Sequence, residues 1–556
     1  MKRSNTRLLI LFLFFICIAL CLALRLFYLQ IISGRKFVEL ARQQHTNLVK
    51  TEHERGNILD KKRVVLATNI PTYSVYADPG RIKDKLETAR ELSKALDLGE
   101  GRMLERVSRD KSFVWLKRKL SRKDKTLLEE KNIRGVGFLR EYRRFYPQEK
   151  LAAHLLGLVD IDNNGLDGLE LKYNKYLTSA SGEALVVRDS KGKNLPLYHS
   201  LKLGNDGYTV ELNIDAHIQY WADEYLREAV TGSKAEGGSV VIMNPKDGSI
   251  LALANYPVFD PNNVSVSDQD SFRNRAVTDY YEPGSVFKIL TLIAALEQVD
   301  GIENMKFDCQ MGEYKIPGSI LHDWKSFGTL SFEEVFMNSS NIGVAKIVQL
   351  VGAKKYSSYI KKFGFGQATG VDLPYETPGY VKEYKDWSKT SQYIIPMGQE
   401  VAVSVIQLAR MLSVAVNGGY MVTPFIVNKI TDKKGVVIKR FEPQIKGPVI
   451  SSLASKRTRE ILGRVVSEGT GRRARVEGVT VGGKTGTAQK INPKGGYSKK
   501  DFYVTFAGFF PVEDPEYVIV VNIDEPHGQY HSGGMVAAPL FQKIADSIAD
   551  YAHLRN

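Results

Sequence analysis

Tyr281-Glu282-Pro283-Gly284-Ser285-Val286-Phe287-Lys288 leads straight into the apolar run Ile289 to Leu296. Gly284 ends an irregular approach, and from Ser285 onward nearly every position is apolar or small. A helix that is apolar on all sides belongs in a core. Ser285 is therefore expected in the first turn of a buried helix, where unpaired backbone N–H groups and the dipole favour a developing negative charge. Lys288 follows three residues later, so the two side chains share a face and the amine is expected to reach the hydroxyl. A serine beside a lysine is a known activated-nucleophile arrangement.

The spacing by itself is common, because a serine at a helix start usually serves as a cap. Ser108 with Lys111, Ser190 with Lys193 and Ser358 with Lys361 repeat it without opening a buried apolar helix. Its neighbours decide the matter. Thr209 to Leu212 is strand-like and Ala216 to Val230 is an amphipathic helix. Ser239 to Met243 and Ser249 to Ala254 form a hairpin pattern across Asn244-Pro245-Lys246-Asp247-Gly248. Glu333 to Val351 reads as a helix broken between Asn338 and Gly343, and Val401 to Val416 as a second apolar helix. Thr480 to Thr487, Tyr503 to Phe510 and Tyr517 to Ile523 return to strands, and Ala537 to Tyr551 closes the chain as a helix. Strands at both ends with helices between predict an α+β domain, its sheet assembled from distant segments and a helical subdomain set beside it.

At 556 residues the chain exceeds one ordinary core. Leu8 to Leu24 carries no charge, and with Arg25 snorkelling and Leu26 to Ile32 extending it the run can span a membrane. Lys2, Arg3 and Arg7 precede it and keep the N-terminus inside, so residues after about Ser33 lie outside. The net charge of +15 implies an anionic neighbour or a solvated basic surface. Nucleic acid is set aside, because no zinc-ligand spacing, phosphate loop or aromatic single-strand platform occurs. Of three cysteines, Cys17 and Cys21 lie in the membrane run and only Cys309 lies outside, which excludes a disulfide within the exported part.

Two further stretches carry chemistry. Ser339-Ser340-Asn341 falls at a corner between helices, and Lys484-Thr485-Gly486-Thr487 is expected to end an apolar strand entered through Gly482-Gly483. An acyl-transfer site needs a nucleophile, a proton relay, an oxyanion hole and a clamp for the substrate's end group. Ser285 with Lys288 supplies the first; Ser339 and Asn341 add a hydroxyl and an amide; Lys484 and two threonines offer a cationic, donor-rich strand for a carboxylate. The order Ser-x-x-Lys, Ser-x-Asn, Lys-Thr-Gly resembles the motif set of penicillin-binding proteins and class A β-lactamases, with Ser-Ser-Asn here where β-lactamases commonly have Ser-Asp-Asn.

The chain resembles the class B penicillin-binding proteins nearly from end to end. Arg55-Gly56, Arg144-Phe145-Tyr146-Pro147 leading to His154-Leu155-Leu156-Gly157, and Gly165-Leu166-Asp167-Gly168-Leu169-Glu170 carry the likeness through the first half. Val75-Tyr76-Ala77-Asp78-Pro79, and Ala507-Gly508-Phe509-Phe510-Pro511 through Gly533-Gly534 to Ala538-Pro539, resemble the division-type, septal transpeptidase. The resemblance implies a penicillin-binding/serine β-lactamase-like transpeptidase domain at 208–556 with an antiparallel sheet flanked by helices. It also implies an elongated α+β pedestal of the penicillin-binding protein dimerisation type at 33–207, a membrane anchor at 8–32 and a cytoplasmic tail at 1–7. Ser285 would be acylated by the penultimate D-alanine of a peptidoglycan stem peptide with Lys288 as base. Ser339, alone or with Lys288, would relay a proton to the departing D-alanine while Asn341 binds the peptide amide. Lys484 would set the local field, Thr485, Gly486 and Thr487 would line the carboxylate site, and the N–H groups of Ser285 and Thr487 would form the oxyanion hole.

No Glu-x-x-Leu-Asn stretch of the kind that activates deacylating water lies between the second and third motifs. The acyl-enzyme is therefore expected to wait for an amine, and a β-lactam to trap it; transfer to water would be carboxypeptidase activity. No metal and no cofactor is expected. The resemblance implies a single-pass protein of the cytoplasmic membrane with its catalytic domain outside. Its expected partners are stem peptides, β-lactams, a polytopic glycosyltransferase and other divisome proteins. The rival readings are the elongation-type enzyme and a non-catalytic β-lactam sensor or scaffold.

Overall fold

A computed structural model describes residues 2–34, 36, 46–51, 54–178, 182–188, 194–202, 206–492, 495–528 and 531–555, so the Ser190/Lys193 pair lies outside the described residues. Contacts divide the chain into two units, one of residues 1–54 with 179–206 and one of 55–178 with 207–556. The first holds the N-terminal helix Lys2–Phe27 and an antiparallel sheet of Thr46–Thr51, Gly182–Arg188 and Asn194–Lys202. Among the described residues, Arg7–Ile32 is the one helical stretch long and apolar enough to cross a membrane.

The second unit begins with β1 (Ile58–Leu59), β2 (Val65–Ala77), β3 (Val114–Leu120) and β4 (Val136–Phe145). It continues through β5 (Thr209–Leu212), α1 (Ala216–Ser233), β6 (Gly237–Met243), β7 (Ile250–Tyr256), α2 (Lys288–Gln298), α3 (Asn341–Val351) and α4 (Val405–Val416). It closes with β8 (Val427–Thr431), β9 (Val437–Arg440), β10 (Gly482–Ile491), β11 (Tyr497–Phe510), β12 (Tyr517–Asp524) and α5 (Ala537–Tyr551). The central sheet is antiparallel in the order β7-β6-β12-β11-β10, so the strands that flank the helical stretch in sequence meet in one layer.

Alternation along the middle strands explains the helices on both faces. Val241, Met243, Val518 and Val520 point to a core built with α2 and α4, whereas Val240, Ile242, Ile519 and Val521 point to one built with α1 and α5. β6 is buried at every residue, which is why it reads as a continuous apolar run. A second sheet, in the order β9-β8-β5-β1-β2-β3 with β4 also on β2, joins residues 58–145 to 209–212 and 427–440. The 33–207 segment thus contributes to both units.

One expected helix is shorter. The helix expected from Val401 begins at Val405, because Val401–Ala402 pairs as a strand with Tyr380–Val381 and Ser404 then forms a capping box with Gln407. In the first half of the chain the charged helix Lys85–Leu96 starts where Asp84 accepts the Glu87 N–H.

Residues 55–178 are held by a buried ionic knot. Glu170 is 0% exposed and accepts from Arg55 and Arg144, each at 2.6 Å, while Arg144 also donates to the Gly56 carbonyl at 2.7 Å. Three stretches far apart in sequence meet in this knot. Glu170→Ala leaves two guanidinium groups buried without a counter-charge, and the expected loss is about 3–5 kcal/mol. Urea titration followed through tryptophan fluorescence measures it; Glu170→Gln, which keeps an acceptor oxygen, should lose less.

Candidate active site

Gly284–Phe287 forms one turn of 3-10 helix that runs into α2, so Ser285 precedes the α-helix instead of opening it. Close backbone packing imposes the tighter turn. Gly284 has φ +56°, and a Cβ there would meet the Thr487 carbonyl oxygen at 2.8 Å. A Cβ on Gly486 would meet the Pro283 oxygen at 2.7 Å, and one on Gly398 would collide with the Gly284 oxygen. With three residues per turn, positions i and i+3 eclipse, so Ser285 and Lys288 still share a face. Ser285 is half-buried and Lys288 is 0% exposed.

The amine of Lys288 is directed at the second motif and not, as expected from spacing, at Ser285. Nζ donates to the Ser339 carbonyl and to Asn341 Oδ1, each at 2.7 Å, and lies 3.3 Å from Ser339 Oγ. Burial pulls its pKa down to about 7, opposed by the charge of Asp323. The partners then set the direction of proton traffic. Two of them are carbonyl-type oxygens that can only accept, and a neutral amine has two hydrogens to give them. Its lone pair is left for a hydroxyl, which suits it to act as a base.

The Ser339 corner is positioned from outside its own motif. Ser339 takes φ +57°, a left-handed conformation that costs a non-glycine residue energy and needs a surrounding to hold it. Asp323 supplies part of that surrounding by accepting from the N–H groups of Asn341 and Ile342, the latter at 3.2 Å, and from the Ser340 hydroxyl at 2.7 Å. The Trp324 indole donates to the Asn338 carbonyl at 2.7 Å. Asn341 Nδ2 donates to the His322 carbonyl at 2.8 Å, which leaves its oxygen facing Lys288.

Lys484 lies inside β10, because the strand runs on to Ile491 instead of ending at Thr487. The residue is 1% exposed, and Nζ donates to Ser339 Oγ at 2.9 Å. Burial lowers its pKa well below the ordinary lysine value, and the charge of Lys288 adds to the effect. One serine hydroxyl thus stands between two buried amines. Thr485 is buried and hydrogen-bonds the Thr470 hydroxyl at 3.4 Å. Thr487 is exposed and accepts from the Gly533 N–H at 3.0 Å.

The structure therefore brings Ser339, Asn341 and Lys484 to Lys288, with Ser285 on the face of Lys288 and the Thr487 backbone against the Ser285 turn. Residues 238–546 match the family model described as the penicillin binding protein transpeptidase domain, and residues 50–212 match the penicillin-binding protein dimerisation domain. The chain belongs to the class B penicillin-binding proteins. It is 36% identical to stage V sporulation protein D of Bacillus subtilis, over 98% of this chain and 86% of that protein. It is 29% identical to the peptidoglycan D,D-transpeptidase FtsI of Escherichia coli, over 96% of this chain and 90% of that protein. The crystal structure of penicillin binding protein 3 from Mycobacterium tuberculosis, complexed with aztreonam, superposes with a TM-score of 0.70 at 27% identity, covering 91% of this chain and 98% of that one. Members of this family are serine acyltransferases of the D,D-transpeptidase type, and the chain shares their fold along both matched regions.

Among the residues that spacing did not single out, Asp323 and Thr470 bear directly on the site. Neither sits in a short motif with the residue it supports: Asp323 acts 18 residues away and Thr470 15. Gly533 was visible only as part of a Gly-Gly pair.

Proposed function

We propose that this class B penicillin-binding protein cross-links peptidoglycan stem peptides through an acyl-serine at Ser285, in septal wall synthesis, from a single-pass anchor whose catalytic unit lies outside the membrane. The observation that carries the reading is the Ser339 hydroxyl held by the buried amines of Lys288 and Lys484 beside the Ser285 turn. Ser285 Oγ attacks the penultimate D-alanine carbonyl and its proton passes to Lys288. The oxyanion is held by the N–H groups of Ser285 and Thr487. Collapse of the tetrahedral adduct breaks the peptide bond, and Lys288, through Ser339, returns the proton to the departing D-alanine amine. An amine from a neighbouring stem then attacks the ester, its proton leaves by the same relay, and the new peptide bond releases Ser285. Asn341 holds the substrate amide, while Lys484, Thr485 and Thr487 receive the terminal carboxylate. Thr487 accepts from the Gly533 N–H, which leaves its hydroxyl proton to donate to that carboxylate.

The septal role is supported by the division-type segments Val75–Pro79 and Ala507–Pro511. A glycosyltransferase spanning the same membrane and other division proteins would be the partners. The likeness to stage V sporulation protein D supports a second reading, in which the same chemistry serves a wall made during sporulation. Two experiments decide. The purified protein, given a peptide ending in D-Ala-D-Ala and a second peptide amine, should release D-alanine and form the cross-linked product; release without any cross-link overturns transpeptidation. On depletion, filamentous cells support the septal role. Normal division with failed sporulation supports the second reading, and rounded cells indicate the elongation type.

A further inference from the structure

Glu282 lies three residues before the nucleophile and has no part in the chemistry above. It is 8% exposed, and burial pushes its pKa up. One carboxylate oxygen carries both of its hydrogen bonds: Oε1 accepts from the Glu400 N–H at 2.8 Å and from the Tyr497 hydroxyl at 3.1 Å, while Oε2 is buried without a partner. Leaving a buried oxygen unpaired costs free energy, so the local structure favours those two contacts over solvating the group. Both contacts lead back to the site. Glu400 lies within a strip that runs along the nucleophile turn: the Gly398 oxygen accepts from the Gly284 N–H at 3.2 Å, and Tyr281 and Val403 exchange N–H···O bonds at 3.1 and 2.9 Å. Glu400 is itself held, its carboxylate accepting from Lys382 at 2.9 Å and Ser391 at 2.6 Å. Tyr497 is the first residue of β11 and pairs with Ile491, the last residue of β10. Among the described residues, β10 is the edge strand of its sheet and has β11 as its one strand neighbour. Lys484 and Thr487 are therefore placed laterally against Ser285 by the β11–β12 pairing, by the close packing of Gly284 and Gly486, by the Lys484–Ser339 hydrogen bond and, at the far end of the strand pair, by what ties Tyr497 to the nucleophile turn.

We propose that Glu282 is a positioning residue for the third motif: by holding Tyr497 and the Glu400 N–H on one oxygen, it fixes where β10 stands against Ser285. The inference rests on the reading that Lys484–Thr487 receives the substrate carboxylate. Because one oxygen carries both bonds, glutamine can keep them and alanine cannot. Losing the tie loosens the carboxylate site more than it alters Ser285 and Lys288, which are set by the 3-10 turn and α2. The defect should therefore fall on initial binding and spare the acylation step.

The test measures acylation of the full-length protein by a fluorescent penicillin at several concentrations, separating the initial dissociation constant from the acylation rate constant. Hydrogen exchange is followed over 497–503. Glu282→Ala and Tyr497→Phe should each raise the dissociation constant by about tenfold with a near-constant acylation rate constant. Both should speed exchange in 497–503, and Glu282→Gln should remain within about threefold of the parent in both measures. The double variant should be no worse than either single one, because the two residues share one interaction. Tyr497→Phe removes only a hydroxyl from a part-exposed residue, so it keeps the test open if Glu282→Ala does not fold. Unchanged binding and exchange in Tyr497→Phe would overturn the proposal, as would additive effects in the double variant or a glutamine variant as weak as alanine. A parent protein that takes no penicillin would instead overturn the functional reading itself.

Discussion

Replacing Ser285 by alanine abolishes covalent labelling by a fluorescent penicillin, a fall of roughly 10⁴-fold or more in acylation. The large effect follows from what remains behind. Alanine fits the 3-10 turn without strain, because Ser285 itself is not one of the positive-φ positions. The hydrogen bonds of Lys288 run to Ser339 and Asn341, so they survive the change. On the proposed mechanism the variant thus keeps its relay, its field and its carboxylate site while losing the atom that would form the ester. Intact-mass spectrometry after incubation with penicillin should show one adduct on the parent and none on the variant, with unchanged thermal unfolding. An adduct that persists in Ser285→Ala places the nucleophile elsewhere and refutes the assignment.

Ser285 was legible because its neighbourhood is local: the apolar run Ile289 to Leu296 begins directly after it, and the lysine follows within one turn. The central sheet was legible for a similar reason, since β6, β7, β11 and β12 each carry the apolar pattern of a strand buried on one or both faces. What spacing missed is non-local. The pairing of Val401–Ala402 with Tyr380–Val381 removed the first turn from an apparently continuous apolar helix, because a strand earlier in the chain competed for its backbone. Lys288 was expected on Ser285 because helical spacing says only which face a side chain occupies. Its actual partners sit 51 and 53 residues further on, brought there by the left-handed corner at Ser339 and the cap from Asp323. Lys484, at a glance a solvent-facing lysine on an edge strand, is buried because the free edge of that strand packs on the nucleophile turn, where the chain carries Gly284 and Gly486.

Acylation of the parent protein should rise with pH through about 7 and then level off, and Lys288→Ala should lower the plateau by roughly 10³-fold. The sign follows from the environment of the amine. A lysine in water keeps its proton well above neutrality and cannot serve as a base there; burial disfavours the charged form and brings Lys288 down to about 7. Below that pH the amine is protonated and has no lone pair for the Ser285 proton, so the second-order rate constant for penicillin at pH 6 should be about one tenth of the plateau value. Lys484 acts in the same direction, since protonation of either amine disfavours protonation of the other across the shared Ser339 hydroxyl. Lys288→Arg separates base from cation: arginine stays charged at every accessible pH, so a merely electrostatic role would keep most of the rate, whereas a base would lose it as completely as alanine does. A flat profile from pH 5.5 to 8.5 in the parent, together with a nearly active arginine variant, would transfer the base role away from Lys288 and leave the Ser339 hydroxyl, on its other amine, as the group to test next.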